Sequence, residues 1–490
     1  MSGGGGRRRL DRGEGPGTGG PPREGGDPGP PQLKQQTVRG GALRATTLRQ
    51  PVGGAAEVAA GLEAARRRTL ALLEPVPEQL LLRQHSELLS PLVWDLAHIA
   101  NFEDLWLLRA LGDAGVGAGY DGLYDAFLHP RRTRGELAML DLAGARSYGD
   151  RVRERALDLL HREGPGGDDA LRAEGLVYAM VVQHEHQHDE TLLAALHLLP
   201  EGYAGLAAER PAAPSLGTSP AERLVPGGTY TIGTSTDPWA YDNERPAHPV
   251  EVAPYAIDAA PVTNAAWADF LAADGYDQRA LWSEAGWAWR HEAGVERPLG
   301  WEPDGASGWL RRRFGALEAV PADEPVQHVC WYEADAFARW AGRRLPTEIE
   351  WEVAATCDPA TGAKRRHPWG DGPWRPELAN LGADRLGPDP VTAHPQGRSP
   401  IGCLAMAGDV WEWTSSGFEA WPGTVAFPYR EYSEVFYGGD YKVLRGGSWA
   451  TDPIVSRGTF RNWDHPIRRH IFAGLRTARD AGAPRPEETA

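Results

Sequence analysis

Cysteine is scarce in this chain, with three residues, Cys330, Cys357 and Cys403, among 490. So few thiols exclude a disulfide scaffold and are typical of a reducing compartment, so we expect a cytoplasmic protein. Apolar runs are short, and none approaches the roughly 18–20 residues that would span a bilayer. The N-terminal residues also lack the apolar core of a signal peptide. We therefore expect neither a membrane anchor nor secretion.

Positive charge is also in deficit. The chain has 51 Lys and Arg residues against 67 Asp and Glu, for a formal net charge of −16. A nucleic-acid-binding protein normally shows a basic face, so this balance argues against a nucleic-acid partner. Two residue types are in excess, with 19 Trp and 60 Gly. Tryptophan mostly builds cores but also forms rigid pockets for cations, and glycine supplies the tight turns of irregular folds.

Composition divides the chain into five segments. Residues 1–45 are rich in Gly, Pro and Arg, which predicts a disordered tail. Residues 46–200 carry apolar residues at helical spacing in four stretches, which favours an up-and-down four-helix bundle. Residues 201–220 have the composition of a linker, 221–482 alternate short β-like runs with turns, and 483–490 form a second tail. The expected fold class is a multidomain α+β protein.

The run Gln183–Glu190 holds the sharpest local pattern. His184 and His188 are four residues apart, so they share one helix face. That face is otherwise apolar, and two imidazoles turned toward a bundle core need polar partners. A metal ion would supply them, and a pair of hydrogen-bonded core histidines would fit the same spacing. His186 lies about 200° away around the helix and is expected to face outward.

A third ligand is available on an earlier helix. Ser90-Pro91 has the pattern of an N-cap followed by proline at the first helical position. His98 lies on the apolar stripe of the helix that would follow, which consists of Trp94, His98, Phe102, Leu105 and Leu108. Three neutral imidazoles on one side of an iron ion would leave positions open for substrate and dioxygen.

The same run contains His184-Glu185-x-x-His188, the motif of zinc metalloproteases, in which Glu185 would be the general base. No downstream His or Glu stands in an obvious third-ligand motif. This interpretation also assigns no role to the C-terminal half of the chain. We therefore regard it as the weaker one.

Longer motifs carry a resemblance to known families. The stretches Ser90–His98 and His184–Thr191 resemble the iron-binding motifs of a bundle domain related to DinB. The C-terminal half resembles the formylglycine-generating-enzyme (sulfatase-modifying) fold, a variant of the C-type-lectin fold. Its motifs are Pro261–Asn264, Arg344–Glu348, Trp351-Glu352, Pro368–Gly370, Gly408–Trp413 and Arg445–Trp449. A DinB-like bundle followed by this lectin-like domain resembles the hercynine oxygenase family, the sulfoxide synthases of ergothioneine biosynthesis.

The resemblance implies a reaction that depends on Fe(II) and dioxygen. It joins C2 of the hercynine imidazole to the sulfur of a thiol and oxidises that sulfur. γ-Glutamylcysteine is the expected thiol, as in the actinobacterial type, and cysteine is the alternative. The implied product is then γ-glutamyl-hercynylcysteine sulfoxide. We expect these small molecules as partners of a monomeric protein.

The resemblance also assigns roles to single residues. The implied iron ligands are His98, His184 and His188. Tyr429 matches the family's catalytic tyrosine, whose phenol can donate a proton or hydrogen bond to a reduced oxygen species. The implied contacts to γ-glutamylcysteine are Arg131, Arg134 and Asp464. The implied contacts to hercynine are Gln187, Asn462 and Trp463, and Trp463 is the one expected to meet the trimethylammonium group.

Three other functions can be weighed against this one. Formylglycine-generating enzymes use a pair of cysteines late in the domain, but no Cys follows Cys403 and Ala473–Arg476 occupies the expected region. That activity is therefore excluded, although the fold alone would not decide it. A metal-dependent thiol transferase of the DinB-like type, with another substrate, is the main alternative. A lectin-like binding protein with a structural zinc ion is less favoured, because such sites normally have four protein ligands, often cysteines.

Overall fold

The structure is a computed structural model that describes residues 53–197, 199, 221–305 and 308–482. The tails expected at 1–45 and 483–490 and the linker expected at 201–220 lie outside the described residues. The described residues belong to one compact unit. None of their helices is both long and apolar enough to cross a lipid bilayer.

The N-terminal half is helical, as its apolar spacing predicts. Its helices are α1 (Ala55–Leu73), α2 (Glu78–Leu82), α3 (Leu92–Glu103), α4 (Asp121–Tyr124), α5 (Leu142–Glu163) and α6 (Leu176–His197). The four long helices share a core, since α1 packs on α6 and α3 packs on both α5 and α6. The apolar residues that periodicity places inward on α6, among them Val177, Val181 and Leu192, are buried. The predicted four-helix bundle is confirmed, and its packing sets the His98 helix against the His184 helix.

The end of α3 departs from the predicted stripe. A π-helical turn, Asp104–Leu108, follows the α-helical part directly. This wider turn changes the angular phase of the residues that follow it. Phe102 and Leu108 are buried as expected, but Leu105 is 38% exposed. The prediction that Leu105 faces the core was therefore wrong, because it assumed an uninterrupted α-helical period.

The C-terminal half is an irregular α+β domain with short strands, as its turn-rich texture predicts. Its strands are β1 (Glu222–Val225), β2 (Gly228–Ile232), β3 (His248–Val252), β4 (Tyr255–Asp258), β5 (Trp301–Asp304), β6 (Gly308–Arg313), β7 (Ala316–Ala319), β8 (Trp411–Gly417), β9 (Lys442–Arg445), β10 (Asn462–Asp464), β11 (Ala473–Gly474) and β12 (Ala478–Asp480). Its helices are α7 (Asn264–Ala272), α8 (Glu284–Ala293), α9 (Trp331–Trp340) and α10 (Glu348–Thr356). The capping box predicted at Thr347 and Glu350 is present at the start of α10.

One sheet of this domain positions three of the expected site residues. Its strand order is β10-β9-β8-β11, with β10 at the edge. β10 pairs antiparallel with β9 and places Trp463 opposite Val443. The edge strand thus presents Asn462, Trp463 and Asp464 as consecutive residues at the border of the sheet.

Several motifs of the lectin-like half form buried ion pairs. The pairs are Arg445–Glu352, Arg461–Glu348 and Arg476–Glu412, with N–O distances of 2.6, 2.8 and 2.6 Å. Each guanidinium faces a carboxylate at hydrogen-bond distance, and this geometry offsets the cost of burying both charges. Helix α10 supplies two of the glutamates and β8 supplies the third. These buried ion pairs therefore help to hold the scaffold together, and one of them includes Arg461, which also lines the cavity described below.

The lectin-like domain packs directly on the bundle. Arg68 of α1 donates hydrogen bonds to the backbone oxygens of Gly382 and Ala450. Arg457 donates from Nη1 to Oε1 of Gln183 on α6, at 2.8 Å. Because these contacts are buried, one face of α6 is covered by residues that lie more than 200 positions away in sequence.

Candidate metal centre and substrate cavity

Three histidines converge between α3 and α6. One ligand nitrogen from each of His98, His184 and His188 lies within 4.8 Å of the other two. The centroid of the His98 ring lies 5.1 Å from that of His184 and 4.8 Å from that of His188. The structure thus brings together the three residues that the sequence predicts as a ligand set.

Two of these rings are oriented through their Nδ1 atoms. His98 donates from Nδ1 to the backbone oxygen of Tyr124 at 2.7 Å, since a carbonyl can only accept. His188 Nδ1 lies 3.1 Å from Oδ1 of Asp95, a buried carboxylate one turn before His98 on α3. Both contacts leave Nε2 as the free ligand atom, which is the usual arrangement around a protein-bound metal. The His184 ring is instead stacked on Phe102, with centroids 3.7 Å apart.

The protonation states suit metal binding. Burial, and then the neighbouring His188, lowers the pKa of His98 well below its usual range. Burial, followed by His188 and His98, does the same to the pKa of His184. Imidazoles that stay neutral near pH 7 keep a lone pair for a metal ion. Three nitrogen donors, with no fourth ligand grouped with them among the described residues, fit an open transition-metal site better than a closed structural one.

Glu185 is turned away from the ligand histidines toward the arginines of α1 and α5. Both of its oxygens are engaged by arginines, with Arg66 Nε at 2.7 Å and Arg153 Nη2 at 3.2 Å. Its side chain is fully buried in this network, which also includes Glu103. A carboxylate held in this way has no access to a substrate bound at the histidines. The geometry therefore argues against the metalloprotease interpretation.

His186 does not face outward, so that prediction was wrong. Its side chain is buried, with Nδ1 3.0 Å from Oδ2 of Asp189 and Nε2 3.7 Å from Oδ2 of Asp452. The helical phase correctly directs it away from the metal ligands. The face to which it points is covered by the lectin-like domain, which supplies Asp452.

A cavity of about 730 Å³ lies where the bundle meets the lectin-like domain. This volume is in the range of about 300–1,000 Å³ that is common for small-molecule sites. Six of the predicted substrate contacts line it, namely Arg131, Arg134, Gln187, Asn462, Trp463 and Asp464. Gln187 immediately precedes His188 in sequence, but His98, His184, His188 and Tyr429 are not among the residues that line this cavity.

The tyrosines of the loop before β9 connect the cavity to the histidines. Gln187 donates from Nε2 to the hydroxyl of Tyr432 at 3.4 Å. Tyr429 packs against Trp106, with ring centroids 5.1 Å apart, and lies 6.1 Å from the Phe102 ring that covers His184. Burial raises the pKa of Tyr429 well above its usual value, so its phenol keeps its proton. Tyr429 is thus packed against the metal region rather than extended into solvent.

The two predicted arginines of the bundle differ in their surroundings. Arg131 is exposed at the border of the cavity. Arg134 is buried and lies 3.7 Å over the ring of Trp94, which is itself stacked on His98. It donates to Ser90 Oγ at 2.7 Å and to two backbone oxygens, which leaves two of its five N–H groups for other acceptors. Ser90 therefore accepts from Arg134 instead of capping α3, where Pro91 holds the N-cap position.

Sequence reasoning missed one cation at this site. Arg468 lines the cavity and lies 3.4 Å from Oδ2 of Asp464. Burial lowers the pKa of Arg468 to about 10. It follows Asp464 by four residues in a basic run that ends at His470, and that run is the signal that could have identified it.

Ten of the 19 tryptophans are buried in the core, which fits the prediction that most of them stabilise the fold. Six of them are among the largest fully buried side chains: Trp94, Trp239, Trp267, Trp351, Trp413 and Trp449. Trp463, the predicted partner of a cationic substrate group, stacks on Phe418 with centroids 4.0 Å apart. Other tryptophans already have cations of the protein over their rings, as Trp421 has Arg461 at 4.0 Å.

Comparison with known proteins agrees with this architecture. The sequence model of the DinB superfamily matches residues 61–192, and that of the sulfatase-modifying factor enzyme 1-like domain matches residues 207–481. The chain is 50% identical over 447 residues to a hercynine oxygenase of Mycolicibacterium thermoresistibile, covering 87% of this chain and 95% of that protein. It is 49% identical over 440 residues to a hercynine oxygenase of Mycolicibacterium smegmatis, covering 86% of this chain and 97% of that protein. With both domain types matched in this order and about half of the residues shared, the chain belongs to the hercynine oxygenase family.

Proposed function

We propose that this enzyme joins hercynine to γ-glutamylcysteine in an Fe(II)- and dioxygen-dependent reaction. A bond forms between C2 of the imidazole and the thiol sulfur, and the C2–H and S–H bonds are lost. One oxygen atom becomes the sulfoxide oxygen and the other leaves in water, so that dioxygen accepts all four electrons. The observation that carries this proposal is the three-histidine cluster on α3 and α6, together with one cavity that both halves of the chain line.

The residues that would hold the metal are His98, His184 and His188. When bound, Fe(II) would supply the site at which dioxygen and the thiol sulfur come together. Asp95 and the Tyr124 carbonyl fix the orientation of two of the rings, so that Nε2 of each stays directed at one point. The lowered pKa values of His98 and His184 leave the lone pairs of these two imidazoles available to the metal.

The proposed thiol site lies at the end of the cavity near Arg131. γ-Glutamylcysteine has two carboxylates and one ammonium group. Arg131, at the border, is placed to bind a carboxylate, and the free N–H groups of Arg134 are a second donor set. Asp464 is the acid available there for the ammonium group, and Arg468 beside it adds positive charge.

The proposed hercynine site uses Gln187, Asn462 and Trp463. Gln187 stands next to the ligand His188 and can therefore reach a ring bound at the metal. Asn462 and Trp463, on the edge strand of the lectin-like sheet, line the same cavity as Gln187. A trimethylammonium group has no N–H to donate, so aromatic faces and oxygen atoms are its suitable neighbours.

Tyr429 is the proposed proton donor. Its raised pKa means that the phenol is protonated throughout the neutral range. A protonated phenol can stabilise charge that develops on oxygen during reduction and can donate its proton there. In this proposal, proton donation by Tyr429 favours C–S bond formation over oxidation of the thiol alone.

The test is a reconstituted reaction. The full chain is loaded with Fe(II) under anaerobic conditions and mixed with hercynine and either γ-glutamylcysteine or cysteine. Oxygen is then admitted, and the products are identified by mass spectrometry. We expect the sulfoxide conjugate with γ-glutamylcysteine, faster than with cysteine and only after oxygen is added.

Three outcomes would contradict the proposal. Absence of a conjugate with both thiols would remove it. A conjugate that forms equally well without oxygen would contradict the role of dioxygen as the oxidant. A preference for cysteine would retain the C–S chemistry but overturn the assigned thiol.

A further inference from the structure

Tyr429 and His184 are held by ring packing rather than by hydrogen bonds. Within the described residues, neither the Tyr429 hydroxyl nor the His184 ring has a hydrogen-bond partner. The ligands His98 and His188 differ, because Nδ1 of each has a polar contact that orients the ring. The orientation of Tyr429 and of His184 therefore depends on the aromatic side chains around them.

One aromatic pair, Phe102 and Trp106, contacts both of these groups. The Phe102 ring is stacked on His184, with centroids 3.7 Å apart and planes 10° apart. Trp106 lies 5.1 Å from Tyr429 and 6.1 Å from Phe102. Phe102 in turn meets Tyr429 edge-on at 6.1 Å. The three rings thus form a triangle of mutual contacts, and one face of Phe102 is covered by the predicted metal ligand.

The π-helical turn at Asp104–Leu108 sets the direction of Trp106. In an α-helix four residues advance by about 400°, so a side chain four positions after Phe102 would lie about 40° from its face. A π-turn advances less per residue, because its hydrogen bonds span five residues instead of four. This difference turns Trp106 back toward the Phe102 face and turns Leu105 outward. The irregular turn therefore shapes the surroundings of Tyr429.

Tyr429 reaches this aromatic pair from the other half of the chain. It belongs to the loop before β9, and within the lectin-like domain it contacts the ring of Tyr432 at 6.1 Å. Its ring contacts to the bundle are Phe102 and Trp106. The ligand histidines also belong to the bundle. The distance from the phenol to the histidine cluster is thus set where the loop meets this pair.

We propose that Phe102 and Trp106 are positioning residues that fix Tyr429 relative to the ligand His184. Phe102 holds the plane of the ligand ring, and Trp106 holds the phenol beside Phe102. This inference rests on the proposed function, from which it takes His184 as a metal ligand and Tyr429 as a proton donor. It adds that one helix, α3 with its π-helical turn, places both groups.

The first test uses Trp106 variants of the Fe(II)-loaded full chain. Trp106→Leu removes the ring, so the ratio of sulfoxide conjugate to oxidised thiol should fall by about threefold or more, because the phenol is misplaced. The KM values for both substrates and the iron content should stay within about twofold of the wild type, because Trp106 contacts neither. Trp106→Phe keeps a ring at this place and should recover most of the ratio.

The second test requires no turnover. 3-Fluorotyrosine is incorporated into the protein, and the fluorine resonance of Tyr429 is identified by its absence from Tyr429→Phe. Anaerobic fluorine NMR of the Fe(II)-loaded and Zn(II)-loaded proteins then gives the shift that the paramagnetic iron causes at this ring, which depends on the distance to the metal. We expect Trp106→Leu to change this paramagnetic shift and Trp106→Phe to restore it.

Phe102→Leu tests the same inference from the side of the ligand. Without the stacked ring, His184 can turn, so the affinity for iron should fall by about tenfold in a chelator competition. The paramagnetic shift of Tyr429 should change as well. Trp106→Leu should keep the iron affinity of the wild type, because Trp106 does not contact His184.

Trp289→Leu is the matched control. Trp289 is half-buried on α8 and packs on the ring of Tyr332, with centroids 5.8 Å apart. It loses a comparable aromatic contact far along the chain from the histidine cluster. Its product ratio, iron affinity and paramagnetic shift at Tyr429 should equal those of the wild type.

The outcomes separate this inference from the proposed function. If Tyr429→Phe lowers the product ratio, then an unchanged ratio or an unchanged paramagnetic shift in Trp106→Leu overturns the inference. Equal ratios in Tyr429→Phe and the wild type would remove the proton-donor role from the proposed function. In that case a changed shift in Trp106→Leu supports the positioning of the ring, and an unchanged shift overturns it.

Discussion

The contacts of each imidazole allow us to predict how single substitutions change the affinity for iron. Replacing a ligand, as in His98→Ala or His188→Ala, should abolish most iron binding, because two nitrogen donors hold a metal far less tightly than three. Asp95→Asn should have a smaller effect, of about 10–100-fold in affinity, because it only weakens the orientation of His188. The measurement is iron content after reconstitution and dialysis, together with a competition titration against a chelator.

The control for these variants is His161→Ala. His161 is exposed on α5 and has no place in the cluster. It should bind iron as the wild type does. Retention of normal iron content by His188→Ala would refute the ligand set.

Tyr429 allows a prediction about the choice between products. The Tyr429→Phe variant keeps the packing on Trp106 but removes the hydroxyl. Without this proton donor, oxidation of the thiol alone should compete, so the ratio of conjugate to oxidised thiol should fall. Mass spectrometry of both products from one reaction gives this ratio.

A tyrosine on the same loop provides the comparison. Tyr437 packs on Phe418, with centroids 4.9 Å apart, and has no ring contact with Trp106 or Phe102. Tyr437→Phe should leave the product ratio unchanged. An unchanged ratio in Tyr429→Phe as well would count against a role in proton donation.

At the scale of the element, α6 has two polar faces with different tasks. One face presents His184 and His188, and the other presents Glu185 to Arg66 and Arg153. Glu185→Gln should lower the free energy of unfolding by about 3–5 kcal/mol, because it leaves buried guanidinium groups without full compensation. Chemical denaturation of the metal-free chain measures this loss.

The matching surface variant is Glu154→Gln on α5, where the side chain is exposed. Its free energy of unfolding should differ from the wild type by less than about 0.5 kcal/mol. Folded Glu185→Gln should still carry out the reaction. Loss of activity without loss of stability would revive the general-base role that the geometry argues against.

The helices also show how far sequence reasoning reaches. Periodicity located α5 and α6 and placed His184 and His188 on one face, because that signal is local. It could not reveal that His186 meets Asp452, since this contact joins residues 266 positions apart across a domain boundary. It also missed the π-helical turn that exposes Leu105. The roles of Asp95 and Arg468 depend on tertiary proximity, for which a single sequence gives only weak signals.

At the scale of the whole molecule, histidines that are buried where the two halves meet make the free energy of unfolding depend on pH. His197, the last residue of α6, is buried among Phe314, Phe472 and His328, with ring centroids at 5.0, 5.5 and 4.8 Å. Neither of its ring nitrogens has a hydrogen-bond partner within the described residues. Burial lowers the pKa of His197 well below its usual range and that of His328 to about 3.

These lowered pKa values fix the sign of the pH dependence. Below pH of about 6.5 the unfolded histidines bind protons that the folded ones do not. Protons therefore favour the unfolded chain, and stability that is present above this pH is lost as the pH falls toward about 3. Each such histidine contributes a slope of about 1.4 kcal/mol per pH unit within this window.

Replacing His197 by phenylalanine should remove its contribution to the pH dependence of the free energy of unfolding. A phenyl ring fits among Phe314 and Phe472 and does not titrate. Between pH 7 and pH 5, the metal-free His197→Phe variant should lose about 2 kcal/mol less unfolding free energy than the wild type. Urea denaturation at the two pH values measures the difference. His161→Gln, an exchange at the surface, should follow the wild type. If His197→Phe also follows the wild type, the pKa of His197 is not lowered in the folded chain. His197 is then protonated while buried, which would contradict this prediction.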